Sequence, residues 1–181
     1  MMILVTRIEV IAVLAAVDRP YKEISLSNGG ICLVSEEDFD GLSKYKWHRR
    51  SSDGYAARTV YNDGKFKTVR MHREIMNPPK GFVIDHINRD RLDNRRDNLR
   101  IATASQNIAN SIKPSTNSSG YKGVQYRKDQ GRWRACIRVN KKPISLGQYD
   151  SAEKAARAYN AAAIKYFGEY ARLNDLPKED A

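Results

Sequence analysis

The chain is poor in cysteine. Among its 181 residues only Cys32 and Cys136 are cysteines, far apart and in no CxxC pair. That argues against a disulfide framework and a thiolate zinc site, and it fits a reducing, intracellular setting. Long apolar runs are missing too. The uninterrupted stretch from Val10 to Val17 is far too short to span a bilayer, so no membrane partner is expected. Arg7 is offset by Glu9, so the preceding region lacks the net positive charge of a secretory signal. A buried strand or short helix is expected within residues 1–20, a segment of uncertain role, with a non-native start as the alternative. Acid is also short, with 21 Asp+Glu against 32 Lys+Arg and a net charge of +11. A chain so basic attracts polyanions, nucleic acid first among them; a solvated cationic surface is the plainer alternative.

The length allows one medium domain or two small ones. Residues 21–70 read as β-rich. Asn28-Gly29-Gly30 and Asn62-Asp63-Gly64 are hairpin signals, because asparagine and glycine tolerate positive φ. Ser35, followed by acids, reads as a helix start. After the breaker Asn77-Pro78-Pro79-Lys80-Gly81, the order is strand (82–87), long polar loop, strand (99–103) and helix to about Ser111, capped by Thr103 or Ser105. Residues 112–119 are rich in Ser, Thr, Asn and Pro and read as a flexible linker. Beyond them, three β-like runs precede an alanine-rich helix. In GRWRACIRVN, Trp133, Ala135, Ile137 and Val139 alternate with Arg132, Arg134, Cys136 and Arg138. In the helix, Ala155, Tyr159, Ala162 and Tyr166 recur at helical spacing and read as core. Asp150 or Ser151 can cap its start, with Asp150 and Glu153 at capping-box spacing, and Gly168 can end it.

The polar segment from Val83 to Asn107 carries residues that no hydrophobic core requests. Asp85 and His86 are adjacent, and on a strand they point to opposite faces. Phosphodiester hydrolysis needs a cation at the leaving oxygen and a base for the attacking water. Asp85 is a hard oxygen ligand suited to Mg2+, and a neutral imidazole such as His86 accepts a proton. The carbonyl of Asn98 can fix the imidazole's tautomer, and that of Asn107 can give a metal an uncharged oxygen. Equally, Asp85 can cap a turn, His86 can be a satisfied surface histidine, and the asparagines can be loop formers.

The full pattern resembles the HNH nuclease motif of the phage and intron homing-endonuclease type. The carrying residues are Ile84-Asp85-His86-Ile87-Asn88, Leu92-Asp93-Asn94-Arg95, Asn98-Leu99-Arg100 and Gln106-Asn107, with Val69-Arg70-Met71-His72-Arg73 as the lead-in. The resemblance implies a ββα-metal unit with His86 as general base, Asn98 as its orienter, and Asp85 and Asn107 on a divalent metal. Asparagine at 107 stands where many relatives have histidine. It is common in the homing subset and favours Mg2+, with Mn2+ as the substitute, over zinc. His72 either touches a phosphate or packs under the site. Arg95, Arg96 and Arg100 either meet phosphates or pair with nearby acids such as Asp90, Asp93 and Asp97.

From Lys113 to Lys142 the chain holds nine Lys/Arg and one acid, Asp129. This part resembles the plant ethylene-response-factor (Apetala-type) DNA-binding domain. The carrying residues are Gly120-Tyr121-Lys122-Gly123-Val124, Trp133-Arg134-Ala135, Leu146-Gly147-Gln148-Tyr149, the run from Ser151 to Tyr159, and Leu173-Asn174. The resemblance implies a three-stranded antiparallel sheet packed on a helix, entering the major groove with Gln125, Arg127, Arg134, Arg138 and Ser145. Gln125 and Cys136 depart from the plant pattern, so plant target sequences do not carry over.

The expectation is an α+β chain: an uncertain segment (1–20), a β-rich part of the nuclease domain (21–70), an HNH core (71–111), a linker (112–119) and a DNA-binding module (120–181). It is expected to be a metal-dependent endonuclease acting on double-stranded DNA as a monomer, in the cytoplasm of a bacterial host if phage-encoded. A non-catalytic DNA-binding regulator and a host-defence nuclease are the alternatives.

Overall fold

The structure is a computed structural model that describes residues 20–113 and 117–177. The expectations for residues 1–19 and for the middle of the 112–119 segment fall outside them. In chain order the elements begin with β1 (Tyr21–Ser25), β2 (Ile31–Ser35), α1 (Glu36–Leu42), β3 (His48–Arg49), β4 (Ala56–Asn62), β5 (Lys65–Arg70) and α2 (Met71–Met76). They continue with β6 (Val83–His86), β7 (Asp93–Asn94), β8 (Leu99–Ala102), α3 (Ala104–Asn110), β9 (Val124–Arg127), β10 (Arg132–Val139), β11 (Lys142–Tyr149) and α4 (Ala152–Phe167). The fold is mixed α+β, built from several small sheets and short helices. No helix among the described residues is long and apolar enough to cross a membrane.

The chain divides into two compact units, and the division does not follow sequence order. Within the described residues, one unit holds 20–71 with 92–96, and the other holds 72–91 with 97–113 and 117–177. In the first, β1 and β2 form the expected hairpin, and β7 joins β2 in parallel with Leu33 opposite Asp93. Part of the expected polar loop is therefore a buried strand. Asn94 is fully buried and donates to Cys32 Sγ at 2.9 Å. β3, β4 and β5 make a second sheet, and its β4–β5 hairpin turns at Asp63 (φ 51°) and Gly64 (φ 72°). Both central residues have positive φ, which matches the right-handed twist of the flanking strands. Ser35 sits at the N-cap of α1 without capping it. Its Oγ accepts instead from the Arg96 backbone N–H at 2.9 Å.

In the second unit β6 and β8 pair antiparallel, and α3 packs on them. Thr103 caps α3 in a full capping box with Gln106. β9, β10 and β11 form a three-stranded antiparallel sheet in the order β11-β10-β9, covered by α4. The alternation in β10 turns Ala135 and Ile137 inward, onto Ala155, Ala156, Tyr159, Ala162 and Ala163 of the helix. Small helix residues allow this close approach. Gly123 is the tightest point: with φ 75°, an added Cβ would strike the Tyr159 ring and lie 2.8 Å from the Cys136 carbonyl oxygen.

Two local expectations are corrected. Tyr166 is 40% exposed, and Phe167 takes the core place beside it. Ser151 caps α4 by accepting from Lys154 N, while Asp150 pairs with the Lys154 ammonium at 2.9 Å instead of forming a box with Glu153. The parts on either side of the 112–119 segment also meet. Ala109 of α3 lies in the same apolar cluster as Ile137, Tyr159, Ala162 and Phe167. The two parts share a core, which the composition of the joining segment does not reveal.

Candidate active site and nucleic-acid face

Asp85 and His86 close strand β6, and both are buried, at 3% and 4% exposure. A buried carboxylate must be paired and hydrogen-bonded. Register supplies the first partner: Arg100 lies directly opposite Asp85 across the antiparallel pair. Its Nε and Nη2 both donate to Asp85 Oδ2 at 2.8 Å. The second partner is Asn110, also buried, whose Nδ2 lies 3.0 Å from Asp85 Oδ1 and 3.2 Å from Oδ2. The same Nδ2 is 2.9 Å from the His86 carbonyl oxygen and 3.3 Å from that of Ile87. An amide has two hydrogens, so these four acceptors share them. Asn110 thus ties the carboxylate to the chain that carries the imidazole.

Asn107 is half-buried, and its backbone N–H continues the helix by donating to Thr103 O at 3.0 Å. It precedes Asn110 by three residues, so both lie on one face of α3. Asn98 is buried and grips the chain just after His86. Its Oδ1 accepts from Asn88 N–H at 2.9 Å, and its backbone oxygen accepts from Ile87 N–H at 2.9 Å. His72 is buried and meets the His86 ring edge-on, with centroids 5.2 Å apart and planes at 83°. Of the two readings for His72, packing is the one this geometry favours.

Arg95, Arg96 and Arg100 are engaged with carboxylates. Arg95 forks onto Asp93 at 2.8 Å through both Nε and Nη2. Arg96 reaches back to Asp38 at 2.8 and 2.7 Å and to Glu37 at 2.7 Å, with its pKa raised chiefly by the bond to Asp38. Arg100 also donates to Glu169 O at 2.9 Å and lies 4.1 Å over the Tyr170 ring.

The outer face of the sheet is built differently. Register sets Gln125 beside Arg134, Arg127 beside Arg132 and Ser145 beside Cys136. Arg134 and Cys136, two apart, share a face, so Gln125 and Ser145 lie on it too. Arg138 follows on the same face, opposite Pro143. Arg127 is held by Asp129 at 3.1 Å. The register shifts between Ala135 and Cys136, skipping Leu146 on the partner strand. That bulge brings Ser145 and Gln148, three residues apart, onto one face.

Sequence reasoning missed Gln148 and Asn110. The spacing from Asn107 to Asn110 is a helical-face signal that could have found the second. Nothing in the sequence announces the bulge that turns Gln148 outward.

A family model described as an HNH endonuclease matches residues 75–109, and one described as an AP2 domain matches residues 119–169. An uncharacterized HNH endonuclease of Acanthamoeba polyphaga mimivirus is 32% identical over 154 residues, covering 82% of this chain and 76% of that protein. Protein 3.8 of Escherichia phage T7 is 31% identical over 113 residues, covering 60% of this chain and 93% of that protein. APETALA2-like protein 2 of Oryza sativa subsp. indica is 44% identical over 61 residues, which are 34% of this chain and only 14% of the plant protein. The chain belongs to the HNH endonuclease family and combines that segment with an AP2 domain.

Proposed function

We propose that the protein is a homing-type DNA endonuclease that hydrolyses phosphodiester bonds with a divalent metal, at sites chosen with the help of the AP2 sheet. The observation that carries this reading is the buried Asp85–His86 pair on β6, set against a helix that turns Asn107 and Asn110 to one side. The β6, β8, α3 order supports a ββα-metal unit.

The donor set fits a hard cation. Among the described residues no three His, Cys, Asp or Glu stand together as a metal cluster. Mg2+ needs no such cage: it keeps several waters and takes one or two protein oxygens plus phosphate. Asp85 and Asn107 would hold it, the amide oxygen adding no charge. When bound, the metal stabilises charge at the leaving oxygen. His86 takes the proton of the attacking water as the new P–O bond forms and the bond to the leaving sugar oxygen breaks. Asn98 holds the turn behind His86 and orients its ring. Arg100 balances the buried charge of Asp85.

The basic face with Gln125, Arg127, Arg134, Arg138 and Ser145 binds the major groove of double-stranded DNA, so affinity falls steeply with salt. One HNH unit per chain fits a monomer that nicks. Joining a nuclease to a separate reading surface favours homing, where a long site is read, over host defence.

Plasmid nicking with Mg2+ or Mn2+ tests the chemistry. His86→Ala should lose roughly 10²–10⁴-fold in cleavage while still shifting DNA in a gel. Equal cleavage by both proteins would remove His86 from the base role. A wild-type chain that shifts DNA and never nicks it would be the non-catalytic regulator.

A further inference from the structure

We propose that Lys122 is a positioning residue: it locks the AP2 module onto the end of α3, so that DNA held by the sheet meets the Asp85–His86 centre at one fixed spacing. This rests on the nuclease reading above. The last carbonyls of a helix lack intrahelical partners, and a cation at that end is favourable. The Lys122 ammonium donates to three carbonyls at that end: Ile108 O at 3.1 Å and Ala109 O at 2.5 Å in the last turn, and Ser111 O of the C-cap at 2.7 Å. α3 is the helix that carries Asn107 and Asn110, so its placement is the placement of the site.

Lys122 is itself clamped. Its backbone N–H donates to Asn174 Oδ1 at 2.6 Å, and Asn174 Nδ2 donates to Lys122 O at 3.1 Å. Asn174 in turn exchanges two bonds with Asn160 of α4, at 2.9 and 2.8 Å. A continuous chain of short contacts thus runs from α4, through Asn174 and Lys122, to the end of α3. Parallel ties support it. Arg172 N–H donates to Ala109 O at 3.2 Å, Tyr170 Oη to Ile101 O at 2.9 Å, and Asn140 N–H to Ser105 Oγ at 3.0 Å. Arg100 bridges Asp85 on one side and Glu169 O on the other. The half-buried ammonium of Lys122 spans from the AP2 segment to α3, where its three acceptors cluster at the helix end. That is the character of a joint, and it makes recognition and cleavage one rigid ruler.

The test uses the full chain and a duplex selected from a random-sequence library by binding to the His86→Ala protein. Footprinting locates the sheet, and end-labelling locates the cut. Wild type should cut at one phosphodiester at a constant offset. A short Gly-Ser insertion after Pro114 should leave that offset unchanged, because the joint rather than the connecting segment sets it. Lys122→Met should spread the cuts over neighbouring positions with the footprint in place, and Lys122→Arg should restore a single cut. An insertion that moves or spreads the cut, or a Lys122→Met protein that still cuts at one position, overturns the proposal.

A second measurement needs no cleavage and so separates failure of the joint from failure of the nuclease reading. Spin labels at Lys80→Cys and Ile164→Cys, with Cys136→Ser, should report one narrow distance in wild type and in the insertion variant. Lys122→Met should broaden it. An equally narrow distance in Lys122→Met overturns the proposal even if the wild type never cuts.

Discussion

Two regions of the second unit are held together in opposite ways. The HNH segment buries its polar groups: Asp85, His86, Asn98 and Asn110 are all below a tenth exposed. Hydrogen bonds between them fix their positions. The AP2 sheet buries alanines and turns its polar groups outward, where Gln125, Arg138, Ser145 and Gln148 stand in water. Under the proposed nuclease reading, a reacting group must be held to a fraction of an ångström, so its region tolerates the desolvation of polar side chains. Under the same reading, a face that exchanges water for DNA keeps its polar groups solvated and is held by packing beneath. The comparison predicts that each region breaks by a different kind of substitution.

The packed region should break most severely, at Gly123. Gly123→Ala forces a methyl into the Tyr159 ring at a positive φ. Overpacking and backbone strain together should cost about 3 kcal/mol. Urea unfolding would show the lower midpoint, and DNA binding should fall with it. An unchanged midpoint would mean that the sheet and α4 do not meet as described.

The hydrogen-bonded region should break at Asn110. Asn110→Ala leaves Asp85 and the His86 carbonyl short of a donor, at a cost of about 2 kcal/mol. Nicking should drop while DNA affinity through the sheet stays near that of wild type. A variant that loses affinity and keeps its cleavage rate would reverse the division of labour. Smaller still is the effect on the reading face. Arg134→Ala should change stability by less than about 0.5 kcal/mol, yet weaken binding by about 1–3 kcal/mol if the guanidinium reads a guanine edge. A phosphate contact would instead lower the salt slope by about one. Titrating binding against salt on two sequences separates these outcomes.

The same contrast explains what was legible in the sequence. Turns and caps are local, so Asp63-Gly64 announces itself and the caps narrow to Thr103 or Ser105 and to Asp150 or Ser151. The alternation in β10 shows which face of the sheet is buried. Asp85, His86, Asn98 and Asn107 stand out through the resemblance to the HNH motif, and the structure brings Asp85, His86 and Asn98 together around the end of β6. What stayed hidden is long-range. Arg100 reaches Asp85 only through strand register. Asp93 and Asn94 leave their expected loop because β2 offers a parallel edge. A lysine that bonds to the end of a helix belonging to another family segment leaves no periodic trace.

Lys122 joins the two regions, and its titration is the finest test of how. Burial pushes its ammonium down from 10.5 to about 8. The folded chain therefore binds fewer protons than the unfolded one between those values. Stability attributable to this residue should then rise as pH climbs from about 8 to 10.5, because a desolvation cost present below 8 is relieved. The three helix carbonyls oppose this by favouring the charged form. Urea midpoints at pH 7.5, 9 and 10, for wild type and Lys122→Met, measure which influence wins. If burial wins, wild type gains on the variant as pH rises. If the carbonyls win, wild type loses ground instead, and the joint is held by charge-assisted hydrogen bonds more than it is weakened by lost water.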